Sequence, residues 1–289
     1  MRARVWFVLL AATLAATAAA ADGEIEISHA DALAGGLGGD LVADPPGYPV
    51  QITAPGSYRF TGDLSGAIWV EVGDVTIDLG GFSIRGAGNA CEQETGIVGF
   101  QGANDVTIRN GRIRRMYGGI ALPGSGARVE RLQVDENCGG GITLGTHAIV
   151  DAVQARDNPT LPGIACGHFC RVSNSISYRN GDGILTGTDS IVTGSIAADN
   201  QTKGIESQPG SLVVHSASSL NGGFGIRVHD ASNVIGSVAN QNGSAGIALS
   251  TTSGAALNTI DGNVDGAGSF LGTPNACNVI DGDLHCPTP

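Results

Sequence analysis

A Gly-Ile pair recurs eight times along this chain, at Gly96-Ile97, Gly119-Ile120, Gly141-Ile142, Gly163-Ile164, Gly183-Ile184, Gly204-Ile205, Gly225-Ile226 and Gly246-Ile247. Successive isoleucines stand 23, 22, 22, 20, 21, 21 and 21 residues apart. A period this narrow, repeated this often, means a solenoid in which each repeat buries its apolar face against its neighbours. Two positions beyond each Ile comes another, mostly apolar residue, Leu122, Leu144, Cys166, Val228 and Leu249 among them. That alternation is what a strand with one inward face requires.

Eight or nine residues past each Ile a second apolar strand is expected, its inward positions Val106, Val129, Val150, Val172, Val192, Val213 and Val234. A third is expected near Ile113, Val134, Val153, Ile176, Ile196, Ala217 and Val238. Three short strands per 20–23 residues predict an all-β fold, a single-stranded right-handed parallel β-helix of roughly 9–10 coils. The hand follows from the chirality of parallel crossovers. Leucine-rich repeats share the period, but their LxxLxL signature is missing, and helical solenoids need longer repeats. An asparagine precedes the Gly-Ile pair in six coils: Asn137, Asn158, Asn180, Asn200, Asn221 and Asn242. These predict a ladder stacked about 4.8 Å apart, each asparagine able to accept the left-handed backbone of a sharp turn and to hydrogen-bond to its neighbours above and below.

Residues 1–21 read as a secretory signal peptide: Arg2 and Arg4 at the head, an apolar Val5–Leu14, then Ala18 to Ala21 for cleavage. Residues 22–74 form an N-terminal cap and first strands, with a short helix over Ser28–Leu33; 75–260 form the regular coils, and 261–289 a disulfide-tied end. Without Arg2 and Arg4, 13 basic residues face 27 acidic ones, a net charge of −14. That balance argues against nucleic acid as a partner. No later run of 18 apolar residues exists, so no membrane span is expected after signal removal. Six cysteines in an exported chain suggest disulfides, and sequence alone does not choose among the 15 pairings. The first pair expected is Cys277–Cys286; Cys166–Cys170 can close a short turn, which leaves Cys91 with Cys138. A secreted, periplasmic or cell-surface location follows.

The Gly-Ile strands and asparagine turns resemble the right-handed parallel β-helix superfamily typified by pectate lyases, and in particular its secreted β-helix repeat proteins. The stretch GYPVQITAPGSYRFTGDL within Ala34–Leu64 resembles the leader of many such members. The resemblance covers nearly all of the mature chain. It implies an acidic polysaccharide as partner, but the superfamily holds lyases, hydrolases, epimerases and non-catalytic proteins alike.

Candidate chemistry lies on the outward positions of the Gly-Ile strands, one and three past each Ile. These are mostly Ala, Gly, Thr and Pro until Glu206, Gln208, Arg227 and His229 appear, followed by Asp230. A lyase of this superfamily implies a base beside a uronate carboxyl and cations or calcium to neutralise it. Arg227, His229 and Asp230 are therefore the catalytic candidates, with Lys203 and Glu206 as substrate-binding ones; a surface ion pair explains the same residues. His147, His168 and Asp189 fall four or five positions past their isoleucines in three consecutive coils, a spacing that can ligate a metal. Arg109, Arg112, Arg114, Arg115, Arg128 and Arg131 cluster near an insertion at Gly86–Thr95. Arg112, Arg114 and Arg115 can hold an anionic polysaccharide; pairing with carboxylates is the other expectation, and Asp78 aligns under Arg109.

No cofactor is evident, and calcium is the one left open. GGLGGDLVA at Gly35–Ala43 is a single copy of a calcium repeat, and the loop starting DGNVDG at Asp261 has Gly272 where an EF-hand needs Glu. Short turns and 4% aromatic residues argue against a walled cleft and against sugar stacking. Two readings stay open: a polysaccharide-associated, lyase-like protein acting on uronate polymers, or a non-catalytic extracellular or envelope rod that binds glycans or proteins.

Overall fold

The computed structural model describes residues 23–37, 44–86, 94–265 and 276–286. The expected signal peptide, Cys91 and parts of both calcium-like stretches and of the insertion lie outside the described residues. The chain winds as a parallel β-helix. Ten short strands, from Val50–Ile52 and Ile68–Val70 through Ile97–Gly99 to Ile247–Leu249, form one parallel sheet that carries every Gly-Ile pair. Two further ladders complete each coil, as at Arg171–Ser173 and Ile176–Tyr178; in two coils they run together, as Thr107–Arg114 and Arg128–Asp135. The single described helix, His29–Ala34, starts at Ser28, whose Oγ accepts the Asp31 N–H while the Asp31 carboxylate accepts from Ser28.

The isoleucines of the Gly-Ile pairs align in register, Ile142 between Ile120 and Ile164, and Ile205 between Ile184 and Ile226. All eight are buried. Each contributes about 1.5–3 kcal/mol by leaving water. The glycine ahead of each answers to space rather than to backbone angle. A Cβ on Gly225 would stand 2.5 Å from both the Asn242 side-chain nitrogen and the Gly246 carbonyl oxygen. Only hydrogen fits where successive coils approach so closely.

The second ladder differs at one position: Ile108, not Val106, aligns with Val129. The third ladder differs more. Ile113 and Val134 point inward, but from there the inward residues are Ala155, Ser177, Ala197, Ser218 and Ala239. Ile176, Ile196 and Val238 face solvent, while Val153 is buried at the corner. Small residues take the inward places because the asparagine ladder fills that side of the tube. The Asn180 and Asn221 amides donate to Ser177 and Ser218 Oγ at 2.9 and 3.1 Å.

The asparagine row runs from Asn137 through Asn158, Asn180, Asn200, Asn221 and Asn242, and ends on Asn263. From Asn158 onward each Oδ1 accepts both the backbone N–H and the side-chain amide of the asparagine one coil earlier, all at 2.8–3.3 Å, while Asn137 Oδ1 accepts the Met116 N–H. The left-handed residue is not the asparagine itself but its predecessor: Glu136, Asp157, Arg179, Asp199, Leu220 and Gln241 have φ between 52 and 58°. The asparagine instead satisfies backbone that the turn would leave buried and unpaired. Serine does the same at the other two corners. Ser175, Ser195, Ser216 and Ser237 make one row, continued by Asn258 and Asn278, and Ser190, Ser211, Ser232 and Ser253 make another.

Cys166–Cys170 and Cys277–Cys286 are disulfides as expected, and Cys138 is also disulfide-bonded. Among the described residues no helix is long and apolar enough to cross a membrane.

Candidate functional site

Strand alternation gives the Gly-Ile sheet one outward column, running Gln51, Trp69, Val98, Ala121, Thr143, Ala165, Leu185, Glu206, Arg227 and Ala248. Its middle is small and nearly featureless. A shallow hollow of about 220 Å³ lies there between Tyr117, Thr143 and Leu161. Chemistry gathers toward the C-terminal end.

Glu206 is the centre of that end. Register sets Arg227 beside it, and its Nη1 lies 3.6 Å from Glu206 Oε1. Lys203, three residues upstream, folds over the strand and places Nζ 2.5 Å from Oε2. Lys203 is the only lysine in the chain. His229, two past Arg227 and so on the same face, reaches back one coil to set Nε2 3.2 Å from Oε1. These three side chains cover Glu206 and leave it 8% exposed, although its strand position faces outward. Burial alone would push its carboxyl pKa up, but hydrogen bonds from Lys203 and His229 and the charges of Lys203 and Arg227 bring it below the usual value. A carboxylate only accepts, so the His229 contact requires a proton on Nε2, and in the neutral imidazole the lone pair is then on Nδ1. The Arg227 guanidinium also lies over the Phe224 ring, 5.2 Å from its centroid. One carboxylate thus faces two permanent cations, and a second carboxylate, Asp182, accepts the Lys203 backbone N–H at 3.3 Å. Asp230 stands apart, exposed in the turn past the strand; the ionic contacts run through the other four residues.

The arginine patch resolves mainly into ion pairs. Arg109 Nε lies 2.8 Å from Asp78, whose carboxyl pKa burial would raise but the Gly80 N–H and Arg109 hold below the usual value. Arg112 pairs bidentately with Asp135, which is fully buried and also 3.6 Å from Arg156. Arg115 pairs with Glu136 at 3.0 Å, and Arg128 and Arg131 share Glu130. Arg114 is the exception, with a buried Nε that has no hydrogen-bond partner. Arg112 and Arg131 line a groove of about 560 Å³ with Gln133 and Gln154.

The three metal candidates do not converge. His147 falls in the left-handed corner column with Phe169 and Asp189, and its ring stacks on Phe169 at 5.1 Å. His168 lies one position earlier, and its Nδ1 accepts the Thr188 N–H at 3.2 Å. Among the described residues no group of three His, Cys, Asp or Glu side chains is placed to hold a metal ion.

Sequence reasoning passed over the other end of the same face. Trp69 points outward from Ile68–Val70, and Phe100, 41% exposed, packs edge-on against it with centroids 5.3 Å apart. With Glu71 and Gln101 they line a depression of about 330 Å³. The signal available was that two of the chain's few aromatics occupy neighbouring coils.

A family profile described as "Right handed beta helix region" matches residues 95–265. A search of curated protein sequences finds no match. Among solved structures the chain is similar to a periplasmic alginate epimerase, AlgG, at 13% identity and a TM-score of 0.58, over 86% of this chain and 82% of that one. It is also similar to ORF18 of Geobacillus virus E2, at 11% identity and a TM-score of 0.53, over 82% of this chain and 55% of that one. A surface adhesin of Streptococcus pneumoniae, PfbA, matches at 10% identity and a TM-score of 0.43, over 81% of this chain and 87% of that one. At such identities the likeness is one of fold.

Proposed function

This chain is a member of the right-handed β-helix family, and on that premise we propose that it is an exported, polysaccharide-associated protein whose Gly-Ile face holds an acidic sugar chain, anchored by Lys203, Glu206, Arg227 and His229. The observation that carries this reading is the convergence of two permanent cations on one carboxylate, on an outward face otherwise nearly free of charge. A uronate carboxylate entering there meets an anchored Arg227 and a Lys203 already held in place, so little side-chain entropy is lost on binding. The alginate epimerase that shares the fold acts on a sugar polymer of this class. Export is supported by the leader at residues 1–21 and by disulfides, which persist in oxidising compartments.

A second reading is favoured by the His229–Glu206 contact. An imidazole oriented by a carboxylate, beside a cation that can neutralise a uronate carboxyl, has the parts of a base for proton abstraction. Nδ1 would take the proton from the carbon next to the carboxylate. The C4–O4 bond then breaks, the leaving oxygen takes up a proton from solvent and an unsaturated end remains, or a proton from solvent adds to the opposite face and gives the epimer.

Titration of the protein with polygalacturonate, alginate and neutral dextran, with and without calcium, tests both. Binding of the uronate polymers but not dextran supports the first reading, and unsaturated product or epimerised sugar would add the second. No interaction with any uronate polymer overturns both.

A further inference from the structure

We propose that the depression at Trp69 and Phe100 is a second sugar subsite, one that takes an uncharged pyranose ring. This rests on the reading of the Gly-Ile face as a glycan track, and it adds a ligand chemistry that the ionic cluster does not supply.

The chain has two tryptophans, and the other, Trp6, lies in the leader. Trp69 therefore stands as the one tryptophan of the coils, and it is placed on an outward strand position rather than in the core. Its ring is half-buried there, so part of an indole face stays open to a ligand. Phe100, from the next coil, packs edge-on at 72° and fixes the floor of the depression. A sugar ring presents a face of C–H bonds to such a floor and hydroxyl groups around its rim. Glu71 and Gln101 are exposed at the edge, where they can accept and donate hydrogen bonds to those hydroxyls. The carboxylate of Glu71 also sets the selectivity. It repels a uronate, so the two ends of the face prefer opposite ligands.

Trp69 and Glu206 lie in the same outward column, six coils apart. At about 4.8 Å per strand this is roughly 29 Å. A glycan that carries uncharged units at one end and uronate units further along can engage both subsites at once. Its second contact is then intramolecular and gains from the high effective concentration. The occupant assigned to the face is thus a mixed polysaccharide rather than a pure polyuronate.

Fluorescence of Trp69, the one tryptophan left once the leader is removed, reads the site directly. The probes are the neutral pentasaccharides of cellulose, xylan, mannan and β-1,3-glucan, with polygalacturonate as the charged counterpart. At least one neutral probe is expected to shift Trp69 emission to the blue. Phe100→Ala should weaken that binding about tenfold, as loss of one aromatic wall predicts. Trp69→Ala, followed by calorimetry, should abolish it while leaving polygalacturonate binding intact, which also shows that the variant folds. Arg227→Ala should do the reverse. If no neutral probe moves the emission, or if Trp69→Ala binds the neutral probe as well as before, the subsite does not exist. If the neutral probe binds but polygalacturonate does not, the ionic reading fails and this one stands.

Discussion

His229 reaches across one coil to place its Nε2 3.2 Å from Glu206 Oε1, so that a single carboxylate serves as partner for an imidazole, an ammonium and a guanidinium. The arrangement needs the solenoid. Arg227 and His229 are 21 and 23 residues from Glu206 in sequence, yet one strand spacing away in space.

That shared carboxylate makes the cluster sensitive to acid. Glu206 has a depressed pKa in the folded chain, despite burial, because of Lys203, His229 and Arg227. A depressed carboxylate contributes stability that is fully present above its unfolded value and is lost as pH falls through the folded value. The wild-type thermal midpoint should therefore drop faster than that of Glu206→Gln as pH is lowered through and below the ordinary value of 4.5. Thermal melts of the two proteins across this range check it. Parallel curves would show that the carboxylate is not stabilised by its neighbours.

Asn180→Ala should be among the costliest changes of a polar residue. Its Oδ1 accepts from Asn158 twice, and its amide reaches the Ala155 carbonyl at 3.0 Å and Ser177 Oγ at 2.9 Å. Truncation leaves several buried groups unpaired, at about 3 kcal/mol or more. Chemical denaturation should show this loss, whereas Arg171→Ala on the exposed surface should change little.

Gly225→Ala tests the claim that the Gly-Ile glycines are dictated by space. The added methyl would press on the Asn242 amide and the Gly246 carbonyl together, so it strains the ladder and the next coil at once. A loss of about 2–3 kcal/mol is expected. Unchanged stability would mean that the coils can part there at no cost.

Arg112→Ala separates pairing from ligand binding in the arginine patch. Asp135 is fully buried, and removal of Arg112 leaves it only the more distant Arg156. A loss of about 3 kcal/mol is expected, with affinity for uronate polymers unchanged. A stable variant that binds uronate more weakly would move the binding site to this face.

The Gly-Ile register, the asparagine row and the pairing of Glu206 with Arg227 were legible because each repeats one residue type, or one strand position, at a constant spacing. The serine rows were not. Serine is common on every surface of this chain, and only its position after a left-handed corner marks Ser175 or Ser190 as a ladder member. The third strand misled for a related reason. Ile176 and Ile196 look like core residues, but the asparagine amides leave room inside only for Ser177 and Ala197. Trp69 and Phe100 escaped because a composition averaged over the whole chain hides two rings that the irregular coil around the insertion brings together.

Lys203, as the only lysine, offers the most direct test of where an acidic glycan sits. Amine acetylation followed by mass spectrometry reads the reactivity of this one side chain, which is about one-third exposed beside Glu206. With saturating polygalacturonate or alginate, acetylation of Lys203 should slow several-fold relative to the free protein, and dextran should leave it unchanged. A uronate polymer that binds the protein while Lys203 reacts at its free rate would contradict the placement of the glycan on this face.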